Sequence, residues 1–88
     1  MKIRVTHRKL GKERADGLAW VGDKLIEIDP RLVGKRHLEI LIHEVVHCIE
    51  PEWDEERVEK HALVLCNVLW KQGFRKCDLG QVSKYGKT

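Results

Sequence analysis

The order of hydrophobic patterns in this chain of 88 residues predicts an α+β fold, in which a small three-stranded antiparallel or mixed sheet is followed by two packed helices. Three short segments have the apolar spacing of strands, and two longer segments after them have that of helices. We expect both helices on one face of the sheet. A chain of this length forms one domain, which we place at residues 1–74, followed by a basic and flexible tail at residues 75–88.

The first strand is expected at Lys2–Thr6, where polar and apolar side chains alternate. Gly17–Val21 and Lys24–Asp29 are the second and third candidates. The glycine and aspartate between them indicate a turn, so these two segments should pair as a β-hairpin. Pro30 ends the third strand, because proline has no N–H for the sheet to use.

Two helices follow the predicted strands. The first is expected to begin at about His37 and to end before Pro51, since the residue that precedes proline avoids the helical conformation. Asp54 is a predicted N-cap for the second helix, which should run from Glu55 to about Gln72. Its inward face should consist of five apolar residues: Val58, Ala62, Leu65, Cys66 and Leu69.

The segment His-Glu-Val-Val-His in the first helix is the most specific feature of the sequence. Positions i and i+4 share one face of a helix, so His43 and His47 can bind one metal ion, and Glu44 can reach a water molecule beside it. The motif lies in the apolar run Leu38–Ile49, where unpartnered polar groups would be costly and a metal would remove that cost. The alternative is a pair of core histidines satisfied by hydrogen bonds.

Catalytic zinc usually has three protein ligands, so a third ligand is needed. Four side chains near the start of the second helix are candidates: Glu55, Glu56, Glu59 and His61. A helical projection sets Glu55 and Glu59 on the inward face. If the helices form an antiparallel hairpin that turns near residue 52, the metal lies level with Glu59, which favours Glu59 over Glu55. The predicted cofactor is Zn²⁺, and its predicted ligands are His43, His47 and Glu59.

With these residues the chain resembles the small HExxH metallopeptidases of the gluzincin-like and zincin-like groups, and it is most similar to minigluzincins and to small ImmA/IrrE- or SprT-like proteins. The resemblance covers roughly residues 17–73: the strand pair that ends in Ile-Glu-Ile-Asp-Pro, the motif helix, and a second helix that opens Glu-Glu-Arg-Val-Glu. It implies zinc-dependent hydrolysis of peptide bonds, with Glu44 as the catalytic residue. It also implies that the strand Lys24–Asp29 forms the cleft edge and pairs with an extended peptide or protein substrate.

The sequence departs from these families in three ways. The glycine and third histidine of metzincins are absent after the motif, and so is the asparagine-rich signature of the ImmA group. An oxyanion donor is also not evident, because Tyr85 lies in the tail. Two alternatives therefore stay open. One is a non-catalytic, metal-stabilised domain that acts through a partner, with Trp20 or Trp53 as an anchor; the other is a latent enzyme in which Cys77 occupies the open metal position.

Composition narrows the functional classes further. The net charge of +3 does not predict nucleic-acid binding, and the basic tail is the sole support for a DNA-linked role. No apolar segment reaches membrane-spanning length, and neither an export segment nor a membrane partner is expected. The three cysteines are odd in number and unpaired in pattern, which favours a cytoplasmic protein. Unpaired sheet edges would also permit a homo-oligomer.

Overall fold

The computed structural model of the chain describes residues 1–77. Its three strands are β1 (Arg4–His7), β2 (Gly17–Trp20) and β3 (Leu25–Ile28), and its two helices are α1 (Gly34–Ile49) and α2 (Glu55–Lys71). Two short 3-10 helices lie in the connections, at Gly11–Glu13 and Val21–Asp23. The predicted α+β fold is confirmed. Most of the basic tail predicted at 75–88 lies outside the described residues.

The sheet is mixed, with the strand order β1-β3-β2. β3 is parallel to β1 and antiparallel to β2, so the predicted hairpin is present. Its turn closes on Lys24 and not on a glycine: Lys24 has a φ of 52° and donates its N–H to the carbonyl of Val21 at 3.3 Å. Since β3 is paired on both sides, the expectation that the strand at Lys24–Asp29 forms the cleft edge is wrong. Among residues 1–77, the edges of the sheet belong to β1 and β2.

The core lies between the sheet and α1, and α2 packs on α1. Ile26 and Ile28 of β3 are fully buried and form one cluster with Ile40 and Cys48 of α1. α2 packs on α1 through three buried residues: Val58, Ala62 and Cys66. Leu65 was expected on this inward face, but it is 47% exposed because it lies at the border of the buried stripe. α2 therefore buries a narrow apolar stripe against α1.

A buried carboxylate holds the long β1–β2 connection against the end of β3. Asp29 is 1% exposed and accepts a hydrogen bond from the backbone N–H of Leu10 at 3.1 Å. It also accepts from the backbone N–H of Arg31 at 2.9 Å and from the Arg31 guanidinium at 2.7 Å. These bonds hold the pKa of Asp29 well below its usual range. Asp29 thus connects the sheet to the segment that leads into α1.

The junction between the helices follows the sequence prediction closely. The Asp54 side chain accepts a hydrogen bond from the backbone N–H of Arg57 at 2.9 Å, so the predicted N-cap is confirmed.

α1 begins at Gly34, earlier than predicted, because the Gly-Lys-Arg segment at its start has no apolar periodicity that would reveal a helix. Within residues 1–77, no helix combines the length and apolar character that a bilayer crossing requires.

Candidate metal centre

Three side chains from two helices converge at the α1–α2 interface. His43 and His47 lie one turn apart on α1, with ring centroids 4.9 Å apart. Their Nε2 atoms lie 2.8 Å and 3.2 Å from the same oxygen, Oε1 of Glu55 at the start of α2. One ligand atom from each of the three residues lies within 4.8 Å of the other two. The i, i+4 spacing of the motif therefore places the two imidazoles on one face of α1, as the sequence predicts.

The structure brings Glu55, and not Glu59, to the imidazole pair. Glu59 lies one turn further along α2, is exposed, and does not belong to the convergent group. The prediction treated the helices as antiparallel rods that turn at residue 52. Because the first residue of α2 already reaches both imidazoles, α2 is displaced by one helical turn, about 6 Å, from the assumed position. Glu55 thus replaces Glu59 as the third candidate ligand.

The chemistry of these donors suits a metal ion. Two imidazole nitrogens and one carboxylate oxygen form a set that zinc accepts in catalytic sites, where a fourth position stays open. Glu55 has a side chain that is 73% exposed, so the group can be reached from solvent. Partial burial acts to raise the pKa of Glu55, but hydrogen bonds and charge from His43 and His47 outweigh burial and lower it. His43, His47 and Glu55 could therefore hold a metal ion.

Glu44 differs from Glu55 in its surroundings. It is only 8% exposed, and burial raises the pKa of its carboxyl, although the neighbouring imidazoles oppose this effect. Within residues 1–77, no group donates a hydrogen bond to its carboxylate. A buried carboxylate without a donor binds a proton more readily than a solvated one. Glu44 therefore accepts a proton more readily than an ordinary glutamate does.

Gly17, which the sequence reasoning did not single out, determines how closely β2 approaches Glu44. A Cβ atom at Gly17 would lie 2.7 Å from Cγ2 of Ile40 and 3.3 Å from Oε2 of Glu44. Only glycine therefore permits the first residue of β2 to lie this close to α1 at the His-Glu-Val-Val-His motif. The signal was present in the sequence, since glycine at the start of a strand often marks a close approach of backbone.

The other histidines and Cys77 lie elsewhere. Nδ1–H of His61 donates to the carbonyl oxygen of Arg57 in the preceding turn of α2 at 2.8 Å, and the His61 ring packs on Trp53. Cys77 is exposed and lies beside His37 near the start of α1. The structure therefore does not bring it to His43 and His47, as the latent enzyme would require.

No protein-family model, no curated protein and no solved structure matches this chain.

Proposed function

We propose that the protein is a zinc-dependent peptidase of the HExxH type, in which His43, His47 and Glu55 hold the ion. The observation that supports this proposal most strongly is the convergence of both Nε2 atoms on Oε1 of Glu55. The buried carboxylate of Glu44 is adjacent to this group in the same helix. When bound, zinc supplies Lewis-acid chemistry that polarises the scissile carbonyl and makes water more acidic.

Glu44 is the proposed proton carrier. Its carboxylate accepts a proton from the water that attacks the scissile carbonyl, and it then donates that proton to the leaving amine when the carbon–nitrogen bond breaks. Burial supports this role because it raises the pKa of Glu44 and so favours proton uptake from a weakly acidic donor.

The substrate class is an extended peptide, and β2 is the proposed docking edge. β3 is unavailable because β1 and β2 saturate both of its sides, whereas β2 is an edge strand of the described sheet. An extended chain that pairs with β2 by main-chain hydrogen bonds would run directly past Glu44, since Gly17 contacts that residue. This arrangement moves the predicted docking edge from the third strand to the second.

The test is hydrolysis of a mixed peptide library by the zinc-loaded full chain, with Glu44→Gln as the comparison. We expect mass spectrometry to detect cleavage products with the wild type and at least about a hundredfold less with the variant. Zinc binding should survive in Glu44→Gln, because the substitution leaves the three ligands intact. Equal cleavage by both proteins, or none by zinc-loaded wild type, would contradict the proposal.

A second candidate is a metal-stabilised domain without catalysis. It is favoured by the shortage of oxyanion donors: residues 1–77 contain no tyrosine, and His61 faces away from the candidate ligands. In that case zinc would raise the stability of the fold, yet the zinc-loaded wild type would cleave no peptide in the library. Stability with zinc and cleavage of the peptide library, measured on the same protein, thus separate the two candidates.

A further inference from the structure

A second concave site lies on a different face of α1 from the candidate metal ligands. Its volume is about 450 Å³, and its wall is largely apolar. Five apolar side chains from β1, α1 and the end of α2 line it: Val5, Leu38, Leu41, Trp70 and Phe74. The α1 residues of this wall lie about 150° around the helix from His43 and His47. The cavity is therefore separate from the proposed peptidase site.

A pair of histidines closes one side of the cavity. Nε2 of His7 on β1 lies 3.1 Å from Nε2 of His37 on α1, and the two ring planes differ by only 9°. This geometry is a head-to-head N–H···N hydrogen bond, which one neutral imidazole donates and the other accepts. Loss of solvent, followed by the charge of Lys76, lowers the pKa of both rings. The two histidines therefore give this side of the cavity polar groups that carry no positive charge.

Among residues 1–77, the charged groups that line this cavity are all basic. Arg75 and Lys76 line it, and no acidic residue within this range lines either the cavity or the adjoining depression next to Cys77. Arg75 is held in place, since its guanidinium stacks 3.5 Å above the Trp70 ring and donates to the carbonyl of Trp70 at 2.9 Å. Among residues 1–77, no carboxylate forms an ion pair with either cation. An apolar cavity whose charged groups within residues 1–77 are cations is complementary to an anion that has an apolar body.

We propose that this cavity binds a small amphiphilic carboxylate, with its apolar body against Leu38, Leu41 and Trp70 and its carboxylate at Lys76. The size fits, because sites for small molecules usually measure about 300–1,000 Å³ and combine apolar walls with a few polar groups. A cationic amphiphile would meet two like charges, and a neutral one would leave both cations without a partner. The charge of the rim is therefore what selects the ligand class.

The experiment is a titration of the isotope-labelled full chain with sodium octanoate, octanol and octyltrimethylammonium. The two ionic probes are kept below their micelle concentrations, and octanol is kept below its solubility limit. These probes share one apolar body and differ in charge. We expect octanoate to shift the Trp70 indole resonance and the amide resonances of Leu38 and Leu41, and to bind at least about fivefold more tightly than octanol. Octyltrimethylammonium should bind more weakly than either.

Two variants and one matched control test the assigned contacts. Lys76→Glu reverses the charge at the rim and should weaken octanoate binding by about tenfold, while octanol binding stays nearly unchanged. Lys60→Glu makes the same charge change at an exposed position in the first half of α2 and should leave both affinities unchanged. Val5→Phe should weaken both probes, because the added ring fills the cavity from the edge strand β1.

Three results would overturn the proposal. Absence of any shift at Trp70 with octanoate would show that the cavity takes no such ligand. Equal affinity for octanoate and octanol would show that the cations do not select the ligand. Nuclear Overhauser contacts from the Trp70 indole to residues 78–88, unchanged by octanoate, would assign the cavity to the C-terminal segment of the chain itself.

Discussion

Nε2 of His43 lies 2.8 Å from Oε1 of Glu55, so the first residue of α2 is joined to the middle of α1. Glu55 also lies 3.2 Å from Nε2 of His47, and one carboxylate oxygen therefore faces two imidazoles from the neighbouring helix. A metal held by these three groups would connect the two helices across their interface. Metal affinity and helix packing should consequently be linked, which matters in a domain with so small a core.

The first prediction concerns the stability of the whole domain. Zinc should raise the melting temperature, because an ion that binds only the folded state adds about 2.7 kcal/mol of stability at a hundredfold excess over its dissociation constant. For a domain of this size that gain corresponds to a rise of roughly 10–20 °C. Circular dichroism melts with zinc and with a chelator measure it. An identical melting temperature in both conditions would contradict a metal at the helix interface.

The second prediction separates the two candidate ligands on α2. Glu55→Ala should weaken zinc binding by more than the roughly 10–100-fold that loss of an outer-shell partner costs, because it removes a direct ligand. Glu59→Ala is the matched control, since it removes the same side chain one turn away and should leave the affinity unchanged. Native mass spectrometry after zinc titration gives both values. A larger effect from Glu59→Ala would show that Glu59, and not Glu55, is the third ligand, as the sequence predicts.

The reversal between Glu59 and Glu55 shows which parts of the site a sequence pattern can predict. His43 and His47 share a face because their separation is fixed by helix geometry, and no tertiary information is needed to bring them together. The third ligand depends on how far α2 is shifted along α1, and that offset is determined by the conformation of residues 50–54. A displacement of one helical turn exchanges one glutamate for the other without changing the helical pattern.

The sheet shows the same division between local and non-local information. The pairing of β2 with β3 follows from two adjacent segments and a short turn, and it was predictable. The parallel pairing of β1 with β3 joins segments between which β2 and its two connections lie, and the sequence pattern does not specify it. That second pairing makes β3 the central strand and leaves β2 as the edge beside Glu44. The expectation that the third strand forms the cleft edge is wrong for this reason.

The third prediction tests the close approach of β2 to the His-Glu-Val-Val-His motif. Gly17→Ala places a methyl group 2.7 Å from Cγ2 of Ile40, so β2 or α1 must shift. We expect a loss of about 1–3 kcal/mol in the free energy of unfolding, as for other overpacked sites. Peptide cleavage should fall further than stability explains, because the shift moves the docking edge away from Glu44.

Gly22→Ala is the control for this substitution. A Cβ atom at Gly22 meets nothing within 4 Å, and its backbone has an ordinary φ, so the variant should be as stable as the wild type or slightly more stable. Chemical unfolding of the three proteins provides the comparison. If both glycine variants lose the same stability, crowding against Ile40 is not the reason that residue 17 must be glycine.

The last prediction uses the buried Asp29 carboxylate, whose pKa is held well below its usual range by Arg31 and by the N–H of Leu10. Because the folded state lowers this pKa, the group stabilises the fold at pH values above the ordinary aspartate pKa of about 3.9 and loses this effect as the pH falls below it. Asp29→Asn removes the charge that Arg31 requires and brings an amide toward the N–H of Leu10. We expect its melting temperature at neutral pH to be about 5–10 °C below that of the wild type.

The difference between Asp29→Asn and the wild type should shrink as the pH is lowered toward about 3, because protonation in the unfolded wild-type chain then offsets the advantage of the charged form. Asp23→Asn is the matched control: it makes the same chemical change at an exposed position and should follow the wild type throughout the pH range. A difference that stays constant from neutral to acidic pH would mean that Asp29 acts through packing and neutral hydrogen bonds. A difference that narrows would show that its negative charge holds the β1–β2 connection in place against the sheet, where that connection leads into the strand beside Glu44.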